Sequence, residues 1–570
     1  MIDTIEDIQA EFEDLETAEE RVQTLIELGQ TLPPFPEEYC TEQYRVLGCQ
    51  SMVWFVPRTE GGRLFFEASS DAPMVKGLAA VLVSAYSGRT PEEILAFPVE
   101  EFFEKLHLKS FLSPLRSNGF YSMVARIRDY ARELSPNSAL PTSTRSVGNP
   151  DSNSDFGPIR DKLDSIRRDF PALSTVLDSG HQIVYLDNAA SSQRPTAVIQ
   201  AMSDLYSQHY ANVHRSGHEF AAKTTIQVEA ARKAIAQYIG SVTPEQVIFT
   251  SGTTSSINLV AQTWGRQQLK RGDEVLLTEM EHHSNIVPWQ QLSRELGLVV
   301  KWVPIREDYE LDIEAFEGML NERTKLVAMT AVSNVLGTIN PIKRCVELAH
   351  GIGAKVLVDA AQAVPHGMLD VQHWDADFVV FSGHKMLGAT GVGVLYGKRE
   401  CLDSMPAWQG GGNMIQSVSF EGFVEAGLPH KFEAGTPPIS EIVSLKPAVE
   451  YLSQIGSQRL LEHERELSQI AIEGLRRIPG VKVYSGNSTE RAGIVTFTCE
   501  GVHGEEMAKL LDARGIAIRV GHHCAMPLHA KLGINSSCRA SFYLYNTLEE
   551  AEKFVESVEH IVKQRKSDRG

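Results

Sequence analysis

The sequence predicts an α/β protein: a large, mostly parallel sheet with a smaller α+β lobe after it, preceded by a separate small α+β domain. Three observations predict this. In the middle of the chain, "EQVIFTS", "DEVLLTE", "KLVAMTAVS", "AKVLVDA", "DFVVFSG" and "GVGVLYG" are short apolar runs with helical patterns between most of them. That is how strands covered on both faces read. From about Pro437, long helical patterns are followed by "GIVTFTCE" and "GIAIRVG" around a further helix. Finally, residues 135–158, "SPNSALPTSTRSVGNPDSNSDFGP", hold hardly one large apolar side chain. This is linker composition, with a typical span of about 25–30 Å. The expected domains are therefore 1–134, a linker at 135–158, and a large unit at 159–566.

The first domain opens with apolar residues at helical spacing from Ile5 to about Leu32 (Ile5, Ile8, Phe12, Leu15, Val22, Leu25, Leu28), which predicts one helix. "LPPFPEEY" ends it, because consecutive prolines cannot continue a helix. "SMVWFVPR" and "RLFFEASS" read as strands joined through "TEGG", a hairpin-like turn. "DAPMVKGLAAVLVSAYSG" reads as a helix with Pro in its first turn and Gly at its end.

Composition narrows the function. At 570 residues and 42% apolar, the chain has ample material for several cores. The net charge of −19 argues against a nucleic-acid partner. Residues 1–134 carry 12 Lys and Arg against 23 Asp and Glu, so over half of that charge sits in under a quarter of the chain. The seven scattered cysteines form neither a disulfide framework nor a zinc ligand set, so no metal is expected. The acidic, amphipathic start does not read as a signal peptide, and no run of about 18 apolar residues offers a membrane span. A reducing cytoplasm is the expected compartment.

Four pieces of the large unit carry chemistry. Asp359 and Gln362 leave one strand in "VLVDAAQAV", and Ser382, His384 and Lys385 leave another in "FVVFSGHKMLG". Strand ends at the carboxyl edge of such a sheet are where ligands bind. In "FTSGTTSSINLVA" a strand ends in a Gly-Thr-Thr turn before a helix, which presents backbone N–H groups and hydroxyls, Thr254 among them, to an anion. In "MEHHSNIVPW", His282 and His283 follow a fourth strand. A lysine to attach it, a carboxylate for a ring nitrogen, a histidine over the ring and a helix start for a phosphate together ask for pyridoxal 5′-phosphate.

These stretches, with "YLDNAA", "NVHRSGH", "SNVLGT", "FEAGTP", "GHHCAMP" and "CRAS", make residues 159–566 resemble the PLP-dependent, aminotransferase-fold (fold type I) cysteine desulfurases, in particular the SufS group. The resemblance implies that Lys385 carries the Schiff base, Asp359 pairs with the pyridine nitrogen, His282 stacks on the ring and Gln362 bonds the ring oxygen. It makes Thr254, Ser382 and His384 phosphate ligands, and Asn334 and Arg539 the holders of the substrate carboxylate. Thr436 matches a phosphate contact made across the family's dimer interface, so a homodimer is expected. The nucleophile falls on Cys524 in "RVGHHCAMPLH", a compact cysteine run like that of the SufS group. One departure is Ser251 before Gly252, where some relatives carry Arg; the Gly-Thr-Thr turn itself is complete.

Cys49, in "YRVLGCQSMVWFV", has no metal partner nearby, and by residue type alone it reads as a small buried hydrophobe. The wider pattern changes that reading. "ELGQTLP", "GCQSMVW", "SDAPMVKGLAAV" and "LSPLRSNGF" resemble, in order, the small sulfur-acceptor protein SufE, with Cys49 at its acceptor position and Arg116 at the arginine of its last motif. The resemblance thus implies a SufE–SufS fusion that converts L-cysteine to L-alanine, with a persulfide on Cys524 passed to Cys49. An iron–sulfur scaffold would be the onward partner. Selenocysteine lyase or cysteine sulfinate desulfinase is the alternative, with the first domain as a docking or regulatory module.

Overall fold

The computed structural model describes residues 5–46, 52–106, 120–131, 158–214, 218–486 and 490–567, apart from residues 14, 16, 42, 43, 121, 125 and 129. Cys49, Arg116 and linker positions 135–157 lie outside the described residues. The chain divides into two compact units, one of residues 1–147 with 209–226 and one of 148–208 with 227–570. No helix among the described residues is long and apolar enough to cross a membrane.

In the first unit, two helices, Ile5–Glu13 and Ala18–Thr31, replace the single one expected over 5–32. The reason is local. Thr17 and Glu20 form a capping box: the Thr17 hydroxyl accepts the Glu20 N–H at 3.2 Å, and the Glu20 carboxylate accepts the Thr17 N–H at 2.9 Å. A new helix therefore starts there although the apolar spacing runs on. The expected hairpin is present as β1 (Val53–Glu60) and β2 (Arg63–Ser70). Helix Pro73–Tyr86 is buried nearly all round, as its apolar sequence requires. Its Gly77 meets helix Ala18–Thr31 so closely that a Cβ would lie 1.9 Å from the Leu25 carbonyl oxygen.

The second unit opens with helix Ile159–Arg168, its first strand is the two-residue β3 (Val184–Tyr185), and it holds a seven-stranded sheet. Its strands are β4 (Val247–Thr250), β5 (Glu274–Thr278), β6 (Val299–Val303), β7 (Thr324–Thr330), β8 (Lys355–Asp359), β9 (Phe378–Ser382) and β10 (Gly393–Gly397), in the order β4-β10-β9-β8-β7-β5-β6. All neighbours are parallel except β10, which is antiparallel to both β4 and β9. Every residue of β4, β5, β9 and β10 is buried, as expected for a sheet covered on both faces.

The antiparallel β10 matters for position. It turns β4 back into the direction of β9, so Thr250 and Ser382 both pair with Gly393 and end at one sheet edge. Only glycine fits at 393, since a Cβ there would lie 2.4 Å from the Gly252 Cα.

A hairpin of β11 (Ile415–Val418) and β12 (Phe423–Glu425) follows, then helices Ile439–Ile455 and Ser457–Arg476. The smaller lobe is a second sheet of β13 (Val481–Val483), β14 (Ile494–Cys499), β16 (Arg519–Gly521) and β17 (Ser537–Ser541), antiparallel throughout, in the order β13-β14-β17-β16. The short β15 (Ile516–Ala517) pairs parallel with β3, tying the start of the unit to its end.

A buried ion pair locks the loop after β12 to the sheet. Arg232 makes a two-pronged contact with Glu433, Nη1 to Oε1 at 2.7 Å and Nη2 to Oε2 at 2.9 Å, and Glu433 also accepts the Phe249 N–H of β4 at 2.7 Å. Burial opposes the charge on Arg232, but Glu433 and Glu229 hold it well above its ordinary value. Removing one partner leaves a buried charge alone. Glu433→Ala should therefore destabilise the unit by about 3–5 kcal/mol, whereas the double variant Arg232→Met, Glu433→Leu should recover most of it. Chemical denaturation followed by the loss of helical signal would check both.

Candidate active site

Ten of the residues expected at the site line one cavity of about 250 Å³: Thr254, His282, Asn334, Asp359, Gln362, Ser382, His384, Lys385, Cys524 and Arg539. Most stand at or just past a strand end or at a helix start, and Arg539 lies within β17. Thr254 lies in the first turn of helix Thr253–Val260, beyond β4, and its hydroxyl is 2.6 Å from that of Ser284. The Ser382 hydroxyl accepts the Thr253 N–H at 2.9 Å, so the two turns brought together by β10 are joined directly. The His384 carbonyl accepts the Ser192 N–H at 3.1 Å, and Gln362 Nε2 donates to the Ala189 carbonyl at 2.7 Å.

Charge is concentrated here and little of it is neutralised. Among the described residues, the Lys385 ammonium has neither a hydrogen-bond nor an ion-pair partner; burial lowers its pKa to about 8, against the pull of Asp359. The Asp359 carboxyl, 4% exposed, accepts one N–H, from Ala361 at 3.0 Å, and burial raises its pKa. Burial, with Lys385 adding to it, lowers His282 to about 3 and His384 to about 4. His282 Nδ1 accepts the Ser284 N–H at 3.1 Å, so the neutral ring carries its proton on Nε2.

Arg539 on β17 is 2% exposed and lowered to about 10 by burial. It donates to the Asn334 carbonyl at 2.9 Å and to Asp187 Oδ1 at 3.3 Å. Asp187 Oδ2 meets Arg519, the residue facing Arg539 across β16 and β17, also at 3.3 Å. One carboxylate thus spaces two guanidinium groups. Their surplus positive charge suits a substrate carboxylate.

Cys524 is exposed at the cavity wall, on a turn where His523 and Cys524 both have left-handed backbone (φ 50° and 56°). Two such non-glycine residues in a row are strained, and strain of this kind gathers at functional sites. Three contacts hold the turn. Asn334 Nδ2 donates to the His523 carbonyl at 2.7 Å, the His283 N–H to the Cys524 carbonyl at 2.7 Å, and the Met526 N–H to His283 Nε2 at 3.0 Å.

Thr436 is exposed and does not line the cavity. Sequence reasoning passed over Asp187, Arg519 and Ser284. Asp187 stood in the "YLDNAA" motif and Arg519 five residues before Cys524; what could not be read was that the two meet.

The comparisons with known proteins agree with this geometry. Residues 184–554 match the aminotransferase class-V family, and residues 6–131 match SufE, the Fe-S metabolism associated domain. A cysteine desulfurase of Cronobacter sakazakii is 46% identical over 394 residues, covering 69% of this chain and 96% of its own. The chain belongs to the cysteine desulfurases. A cysteine desulfurase of Synechococcus elongatus is 41% identical over 456 residues, covering 80% of this chain and 72% of its own. The crystal structure of the cysteine desulfurase CsdA of Escherichia coli matches at 38% identity with a TM-score of 0.66, over 70% of this chain and 98% of that one. The chain is a SufE–cysteine desulfurase fusion, and desulfurases of this class depend on pyridoxal 5′-phosphate. The cavity fits that cofactor: a lysine without a partner among the described residues, a buried carboxyl with acceptor capacity to spare, and hydroxyls gathered at a helix start.

The depressed histidines carry a pH signature for this desulfurase. His282, His384 and His523, the last at about 2, are neutral when folded but titrate near 6.5 when unfolded. Below that value the unfolded chain binds more protons. Their contribution to stability is thus present above about 6.5 and is lost progressively as pH falls toward the folded values. Denaturation midpoints measured across acidic pH should fall, and the fall should shrink in His384→Asn.

Proposed function

We propose that the protein converts L-cysteine to L-alanine, storing the sulfur as a persulfide on Cys524 and passing it to Cys49. The observation that carries this reading is the meeting of Lys385, Asp359, Arg539 and Cys524 at one cavity. The domains are read as a sulfur acceptor at 1–134, a linker at 135–158 and a desulfurase at 159–566.

Lys385 Nζ would attach the cofactor, Asp359 would face its ring nitrogen, His282 its ring, and the second N–H of Gln362 its ring oxygen. Thr254, Ser382 and His384 would hold the phosphate, with Thr436 of a second copy. When bound, the cofactor supplies an electron sink for the carbanion formed at Cα of an amino acid.

The chain's own groups do the rest. Arg539 and Asn334 fix the substrate carboxylate. Lys385 Nζ, lowered to about 8 by burial, takes the Cα proton, with His282 assisting proton traffic. Cys524, as thiolate, attacks the substrate sulfur, so the new S–S bond forms as the Cβ–S bond breaks. The carbon skeleton keeps the bonding electron pair and takes up protons to leave as alanine. Cys49 then attacks the outer persulfide sulfur, and Cys524 leaves as thiolate.

The reading extends to a homodimer in the cytoplasm, where thiols stay reduced, delivering sulfur to an iron–sulfur scaffold. Tethering would hold Cys49 at an effective concentration of about millimolar, provided the linker spans the sites. Turnover per site should therefore be nearly independent of protein concentration, and little helped by added free SufE.

Intact-protein mass spectrometry after cysteine addition tests the order of transfer. Cys524→Ser should gain no sulfur and release alanine only at background. Cys49→Ser should release about one equivalent of alanine, hold sulfur on Cys524 and then slow. Equal loss of the first turnover in both variants would sink the ordering. Arg539→Lys should raise KM for cysteine by about tenfold or more, since a single ammonium cannot replace a forked contact.

A further inference from the structure

Glu281 lies beside His282, 1% exposed, and no step above uses it. Its Oε1 accepts the Thr278 hydroxyl at 2.6 Å and the Thr330 N–H at 2.9 Å, and its Oε2 accepts Asn285 Nδ2 at 2.7 Å. The direction of the last bond is fixed by chemistry. The Trp289 indole N–H, which can only donate, faces Asn285 Oδ1 at 3.0 Å, so the Asn285 NH2 must point at Glu281. The Thr278 oxygen already accepts the Met280 N–H at 3.1 Å, which leaves its own proton for Glu281. Three donors thus converge on two oxygens, the surroundings of a carboxylate. Burial opposes this and, with the charge of Asp359 adding to it, pushes the carboxyl up to about 8.

The place of this group gives it a role. Thr330 ends β7, pairs in register with Asp359 at the end of β8, and lines the cavity. Glu281 therefore staples the His282 turn to the strand next to Asp359 and sets a second carboxyl near it. The titratable groups around this set are Asp359, which acts on Glu281, Lys385, which acts on Asp359 and His282, and His283 and Arg539, which also act on His282.

We infer that Glu281 is a positioning residue of the desulfurase reaction: as a carboxylate it holds His282 against the end of β7 and strengthens the grip of Asp359 on a protonated ring nitrogen. The inference rests on the desulfurase reading.

Glu281→Gln is isosteric, removes the charge, and turns one amide NH2 toward that of Asn285. Adding Asn285→Asp reverses the pair: the new amide at 281 can donate to the new carboxylate at 285, which still accepts from Trp289. In Glu281→Gln, kcat for alanine release should fall about tenfold or more with KM for cysteine within about twofold. The visible band of the bound cofactor should shift at a fixed pH. The apoprotein's affinity for pyridoxal 5′-phosphate, followed by tryptophan fluorescence, should weaken.

The double variant should move all three back toward the parent. If Glu281→Gln does not fold, Asn285→Ala, which keeps the carboxyl but removes a donor, should give the same shift and a lower kcat. An unshifted band with kcat within twofold of the parent would overturn the inference, as would a loss that the double variant does not recover. A parent enzyme that releases no alanine from cysteine would instead sink the desulfurase reading.

Discussion

The site depends on one constraint, the hydrogen-bonded ladder that places β4, β10 and β9 side by side. Because β10 runs against both neighbours, Thr250 and Ser382 meet the same residue, Gly393, from either side. The helix start carrying Thr253 and Thr254 and the turn carrying Ser382, His384 and Lys385 are then adjacent without further adjustment. Parallel pairing through β8, β7 and β5 extends the same edge to Asp359, Thr330 and the His282 turn. A one-residue slip anywhere in this ladder would turn these side chains to the other face.

Upon that frame the protein buries charge with little compensation. Lys385 has no partner among the described residues, Asp359 accepts a single backbone N–H, and Arg539 is shared with Arg519 through one carboxylate. Leaving such groups unpaired costs stability, and elsewhere in the unit buried charge is paired. The Arg232–Glu433 pair is fully hydrogen-bonded, and the sheet is closed on both faces. The unmet capacity at the cavity is what a cofactor phosphate, a ring nitrogen and an amino-acid carboxylate can take up.

The cysteine of the cavity is treated differently. Cys524 sits at the surface of the cavity on a strained turn, whose backbone is fastened by the side chain of Asn334 and by both the ring and the backbone of His283. On the function proposed above, a cysteine held in this way would receive sulfur well and carry it away poorly, which would give a physical reason for an attached acceptor domain. The same contacts make His283 a part of the cysteine turn, although in sequence it looked like the second half of a histidine pair.

Much of this was determined by the sequence alone. Strand-end motifs and apolar runs specify the α/β class, and the Lys385–Asp359 spacing, the Gly-Thr-Thr turn and the cysteine motifs specify the cofactor and the reaction. These signals are local, written within a few residues of each strand end. The first helix shows where local reading failed: apolar spacing continued through Thr17, but the Thr17–Glu20 capping box, a side-chain competition, divided the helix. What only the tertiary structure decided involves residues far apart in the chain. Asp187 and Arg539, more than 350 positions apart, meet because the chain just after β3 bridges directly to Ser541 of β17. Glu281 gains its role from a strand almost 50 residues on. Such pairings carry no local pattern, because each partner's surroundings are supplied by the sheet and not by its neighbours in sequence.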